Sequence, residues 1–151
     1  MAASQWYAYH SFKEFLGEKV IDFNNDTFKM ALFESTGNAG DPTQSLFGGL
    51  TDQFSGSGYT AGGQAMTVTW TRSAGVVTFD SAPVDFTASG GAIVARYAVI
   101  YDDTPSSPAK PLVCFCLLDD TPADVSVSDG NTLTVLPHSS GILTLSGMAP
   151  P

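Results

Sequence analysis

Charge is scarce in this sequence, and positive charge scarcer still. Only 14% of residues are charged, with six Lys and Arg against fifteen Asp and Glu, for a net charge of −9. Phosphate backbones and anionic lipid surfaces are recognised by clustered Lys and Arg, so this balance argues against nucleic acid and against a membrane surface as partners. Long apolar runs are missing too. The longest, Leu112 to Leu118, has seven residues, whereas a helix needs roughly 20 to span a bilayer. The first residues, Met1-Ala2-Ala3-Ser4-Gln5-Trp6, lack the basic and apolar regions of a secretory signal, so no export route is expected. Cysteine is limited to Cys114 and Cys116. An i, i+2 pair in an extended segment points both thiols to one face, too parallel for an ordinary disulfide. The two read as small buried hydrophobes, and the lack of a disulfide framework is compatible with folding in a reducing cytoplasm.

Recognisable site chemistry is equally sparse. Only His10 and His138 are present, and Cys114-x-Cys116 lacks the close ligand spacing of a zinc site. Twelve of the fifteen acids are Asp, but Asp124 to Asn131 lacks the ligand order and terminal Glu of an EF-hand loop, which favours turn chemistry over calcium binding. His138-Ser139-Ser140-Gly141 sets a base beside hydroxyls, and Ser55-Gly56-Ser57-Gly58 resembles part of a nucleophile elbow. Neither has the strand-elbow-helix context that a strained nucleophile requires. No Gly-x-x-x-x-Gly-Lys phosphate loop occurs. No cofactor, no metal and no enzymatic activity is expected.

What is present is a core and many turns. A chain of 151 residues, 43% hydrophobic, fits one domain and can remove roughly 70% of its unfolded surface from water. Ser11-Phe12-Lys13-Glu14 fits a capping box, and Phe12, Phe15, Leu16, Val20 and Phe23 share one helical face, so a helix of two or three turns is expected from Ser11, with a weak point at Gly17. Phe28 to Glu34 reads as the first strand. Thr36 to Ala65 then holds eight of the fifteen glycines and only Asp41 and Asp52 as charges. So long a connection must pack back on the body or lie against a neighbour.

Period two follows. Met66, Val68 and Trp70 alternate with threonines, Gly75 to Asp80 follows after the Arg72-Ser73-Ala74 turn, and Pro83 to Thr87 continues the pattern. Ala92 to Tyr101 is apolar on both faces except at Arg96, which predicts a central strand covered on both sides and a carboxylate or carbonyl partner for Arg96. Lys110 to Leu118 is the returning strand of a hairpin, Val125 and Val127 a short strand, and Asp129-Gly130-Asn131 a hairpin signal before Thr132 to Leu136. Ile142 to Leu145 closes the sheet. The expected fold is all-β, a jelly-roll-like β-sandwich of about eight strands, with an N-terminal arm and short helix over 1–27, a body over 28–146 with the Gly-rich loop 36–65, and a short tail over 147–151.

Five of the seventeen aromatics fall in the first fifteen residues. Aromatics dominate interface energetics, so Trp6, Tyr7, Tyr9 and Phe12 of the arm, with Leu46, Phe47, Leu50 and Phe54 of the Gly-rich loop, are the candidate partner contacts. The competing reading is that they cover the domain's own sheet.

Six segments, in order, carry a resemblance: Asp26 to Leu32, Gly58 to Ala65, Phe86 to Ile93, Arg96 to Asp102, Asp129 to Thr134 and Gly141 to Leu145. Together they resemble a group of small virion proteins of tailed bacteriophages. The resemblance spans nearly the whole chain; the Trp6 to His10 arm and Thr36 to Gly56 fall outside it. It implies a non-enzymatic capsid decoration, or cement, protein, made in the host cytoplasm. Such a protein sits on the virion surface against the major capsid protein and associates with itself as a dimer or trimer. The alternative is a tail- or fibre-associated adhesion module binding bacterial surface glycans through rings such as Trp70 or Tyr101. A hydrolase built from loops, using His138, ranks third.

Overall fold

A computed structural model describes residues 3–147; the tail expected at 147–151 lies, apart from Gly147, outside them. Among the described residues the chain forms twelve strands and one α-helix: β1 (Tyr7–Ala8), α1 (His10–Gly17), β2 (Phe28–Phe33), β3 (Gln64–Ala65), β4 (Val68–Ser73), β5 (Val76–Ser81), β6 (Val84–Thr87), β7 (Ile93–Ala95), β8 (Tyr97–Asp102), β9 (Leu112–Leu117), β10 (Val125–Val127), β11 (Thr132–Val135) and β12 (Leu143–Ser146). The protein is all-β and sandwich-like, with more and shorter strands than the eight expected.

The main sheet has the order β1-β9-β8-β2-β3, and a three-stranded sheet has the order β12-β5-β4. Between them runs one long bent hairpin. Its first arm is β6, β7 and β8, and its second is β9, β10 and β11, paired as β8 with β9, β7 with β10 and β6 with β11. The run read as one strand from Ala92 to Tyr101 is therefore broken at Arg96. There the Arg96 N–H donates to the Phe33 carbonyl (2.8 Å), and its own carbonyl accepts the Leu118 N–H (2.9 Å). Residues 119–124 loop out opposite, so pairing resumes in a new register. The second interruption lies at 129–131. Asp-Gly-Asn there is not a hairpin tip but a bend within the ribbon, because Gly130 and Asn131 both bond Ala88 across it.

Strand alternation gives the main sheet two apolar faces. Phe28, Met30, Leu32, Ala98, Ile100, Cys114 and Cys116 enter the larger core; Ala31, Phe33, Val99, Tyr101 and Phe115 enter a smaller one on the other side. The expectation of a strand covered on both sides is met by β8. In the larger core Phe23 is the hub, with ring centroids 5.1 Å from Phe28, 4.7 Å from Trp70 and 4.3 Å from Phe79. It ties the main sheet to the three-stranded one. The Gly-rich loop covers the smaller core: Phe47, in a short 3-10 turn, stacks on Tyr101 with centroids 4.0 Å apart. Gly63, at φ +81°, lies so close to the Met30 carbonyl that any Cβ would collide with it.

The helix begins two residues earlier than the capping box implied. Tyr9 is its N-cap and makes no side-chain cap bond. Ser11 falls inside the first turn, where its Oγ is buried without a partner. Tertiary contacts replace the box: the His10 N–H donates to the Pro42 carbonyl (2.9 Å), and the Tyr9 ring, anchored on the sheet, fixes where the turn starts.

Candidate partner-binding surface

The eight candidate contacts separate into three groups. Tyr9, Phe12 and Phe54 are interior, at 0%, 4% and 8% exposure, and this corrects their assignment to a surface. Tyr9 tilts against Phe115, and its hydroxyl donates to the Ala39 carbonyl at 2.6 Å. Burial first, then the nearby Cys114, Asp41 and Tyr97, push that phenol well above its ordinary range. Phe12 packs on Phe23, and Phe54 meets Tyr59 edge-on. Leu46, Phe47 and Leu50 form the second group. They are half-buried, Phe47 and Leu50 packing against the smaller core and Leu46 bridging to Pro111, so the loop does pack back on its own sheet. Only Trp6 and Tyr7 remain near open surface, Trp6 half-buried and Tyr7 50% exposed.

Those two sit on an edge. β1 ends the main sheet, held by its pairing with β9 and by the Ser4 N–H donating to the Leu117 carbonyl (2.9 Å). An edge strand leaves alternate backbone N–H and C=O groups free for another chain. Beside it opens a groove of 520 Å³, whose walls include Gln5, Trp6, Leu136, His138, Ser140 and Thr144. No carboxylate, Lys or Arg is among its lining residues. Among the described residues Leu136 is the most exposed of the large hydrophobic side chains, at 71%. Strand parity carries the signal for it: in Thr132 to Leu136 the buried positions are Leu133 and Val135, which turns Leu136 outward with the threonines. Val94 is exposed for the same reason, at 39%, whereas Leu145, at 40%, shares the parity of the half-buried Leu143.

The residues considered for other chemistry are placed as follows. His138 lies in the groove wall, where its Nδ1 accepts the Ser140 N–H at 3.1 Å, and no carboxylate among the lining residues orients the ring. Tyr101, a proposed glycan platform, is 0% exposed, sealed under Phe47, with its hydroxyl donating to the Gly62 carbonyl at 2.7 Å. That removes it from any sugar-binding surface. Trp70 has its ring stacked on Phe23. The thiols of Cys114 and Cys116 are buried, and desolvation pushes Cys116 up to about 12 and Cys114 well above its usual value. At those values the reactive thiolate is not formed at neutral pH. No group of three or more metal-ligating side chains converges among the described residues.

The cations are few and half are engaged. Arg96 meets Asp124 at 2.8 Å, the partner that its place in an apolar strand demanded, while Lys29 and Lys110 both meet Asp103, at 2.8 and 3.2 Å. Partial burial pushes the Asp103 carboxyl up, but these two ammonium groups outweigh it and leave the group below the usual carboxylate range. Asp41 and Asp119 are held low by hydrogen bonds from Thr43 and Thr121, the turn chemistry expected of loop aspartates. No family model, no curated protein and no solved structure matches the chain.

Proposed function

We propose that the protein is a non-enzymatic structural component of a phage virion, a decoration or cement protein that binds the major capsid protein on the assembled head and associates with itself as a dimer or trimer. The observation that carries this reading is the ordered resemblance of six segments to small phage virion proteins. The surface supports it. The uncharged groove between β1 and the 135–144 segment, with Trp6 and Leu136 in its walls, an open strand edge alongside and Tyr7 on the other face of that edge against Phe115, is the surface suited to another protein chain. Weak contacts of this kind become strong binding when symmetry repeats them over a shell.

Cosedimentation with cognate heads stripped of accessory proteins tests the reading, with light scattering on the free protein to give its mass. Saturable binding by an oligomer supports it. A monomer that ignores heads removes it and directs the search to tails and host surface glycans.

A further inference from the structure

The end of β8 buries a carboxyl group where the sheet offers no counter-charge. Asp102 lies opposite Phe28 across the β2–β8 ladder and is 0% exposed. Its Oδ1 accepts the Thr104 N–H at 3.0 Å, whereas Oδ2 is buried with no N–H or O–H donor beside it. The charged groups of each surrounding element are accounted for. Lys29 of β2 and Lys110 of the β8–β9 turn are both held by Asp103, the next residue. β9 begins with apolar Leu112 and Val113. The turn before β2 brings Asp26, whose carboxyl lies within hydrogen-bonding reach of Asp102. Asp26 is itself fixed from behind, its Oδ2 accepting the Asp22 N–H at 2.8 Å.

Two carboxylates in contact, one of them fully buried, cannot both stay ionised without a cation between them. We propose that Asp102 keeps its proton inside the fold at neutral pH and donates it to the Asp26 carboxylate, so that the pair is a pH-sensitive latch tying the 22–27 turn to the β8–β9 hairpin. The turn is the strap between α1 and β2. Beside the latch it is held by the Thr27 N–H donating to Thr104 Oγ1 (2.7 Å) and the Asp103 N–H donating to the Thr27 carbonyl (2.8 Å). Losing the proton sets two like charges together and drives the strap outward, loosening the mooring of the helix and of Phe23. This inference stands independently of the capsid reading.

The electrostatics agree in sign. Burial first, then the Asp26 and Asp103 charges, push the Asp102 carboxyl up to about 8 from an ordinary 3.8, against the opposing Thr104 hydrogen bond. A carboxyl raised in the folded state costs nothing below its unfolded value. The penalty grows as pH climbs through the interval between the two values and is complete above the folded one.

The test is the Tm of the full chain between about pH 5 and about pH 9, for the wild type, Asp102→Asn, Asp26→Asn and an exposed control, Asp120→Asn, together with infrared spectra at neutral pH. The wild-type Tm is expected to fall with rising pH. Asp102→Asn should be flat and the more stable at the alkaline end, and Asp120→Asn should keep the wild-type slope. The wild type should show the carbonyl stretch of a protonated carboxylic acid, absent from Asp102→Asn. Should Asp102→Asn not fold, Asp26→Asn carries the same test, because an amide donating to Asp102 lets it ionise and makes the slope shallower. An unchanged slope in the Asp102 or Asp26 variant, equal flattening in the Asp120 control, or no protonated-acid band overturns the latch. So does a Tm raised by calcium in the wild type but not in Asp102→Asn, which would assign the pair to a cation.

Discussion

Single residues in this protein differ widely in what they hold, and burial decides which matter. Phe23 touches aromatic rings from both sheets, so Phe23→Ala removes a filled volume at the centre of the core and is expected to cost about 3–5 kcal/mol. The Arg96–Asp124 pair is as short as an ion pair gets, but its side chains keep 23% and 41% of their exposure. Water and salt screen such a pair, and Asp124→Ala is expected to cost under about 1 kcal/mol. Urea unfolding of the two variants checks the contrast; comparable losses would mean the ion pair matters far more than its exposure allows. Gly63 is the third case. Its positive φ and its approach to the Met30 carbonyl leave no room for a methyl group, and Gly63→Ala should cost at least about 2 kcal/mol through strain and displacement of β2. A variant as stable as the wild type would show that the turn relaxes freely.

At the scale of elements, the Gly-rich loop is held to the smaller core chiefly by Phe47 on Tyr101, with Leu50 beside it. Phe47→Ala should therefore release the loop without unfolding the sheet, at a cost of about 1–3 kcal/mol. Hydrogen exchange distinguishes the cases: faster exchange confined to the loop amides, such as the Leu50 N–H that donates to the Phe47 carbonyl, is expected, and uniform protection would count against this packing. The same scale shows what the sequence made legible. Period-two patterning located β4 and β5 closely, and unbroken apolar runs located β2, β8 and β9, which are buried on both faces. Patterning missed the break at Arg96, since the residues on both sides of the break are apolar and only the looping-out of 119–124 on the partner arm reveals the change of register. It misread 129–131, because Asp-Gly-Asn suits a bend in a ribbon as well as a hairpin tip. The capping box failed for a tertiary reason, with Pro42 and the buried Tyr9 setting the helix start. On the surface, clustering of aromatics near the N-terminus suggested contacts, but three of the eight residues named are core. Parity along β11, not aromatic content, identifies Leu136.

At the scale of the whole molecule, the segments on which the proposed virion reading rests include contacts that set the fold. Tyr59 accepts the Leu32 N–H and packs against Phe86, Gly62 receives the Tyr101 hydroxyl, and Gly130 bends the ribbon. The arm and most of the Gly-rich loop, which fall outside the resemblance, are the parts laid over that frame. Under the proposed virion role, attachment would fall to what the frame leaves open: the β1 edge, Tyr7 and Leu136. Leu136→Ser, at a largely exposed position, should change stability by about 0.5 kcal/mol or less, and Tyr7→Ala, half exposed with its ring against Phe115, should cost about 1 kcal/mol. If this surface docks the protein, they should still weaken binding to heads.

The most direct test of the account is a binding titration of stripped cognate heads with the wild-type protein and with the Tyr7→Ala, Leu136→Ser double variant, counting copies bound per particle. The wild type is expected to saturate at many copies per head and the folded double variant to bind much more weakly. No wild-type binding would contradict the virion assignment, and equal binding by the two proteins would contradict the docking surface.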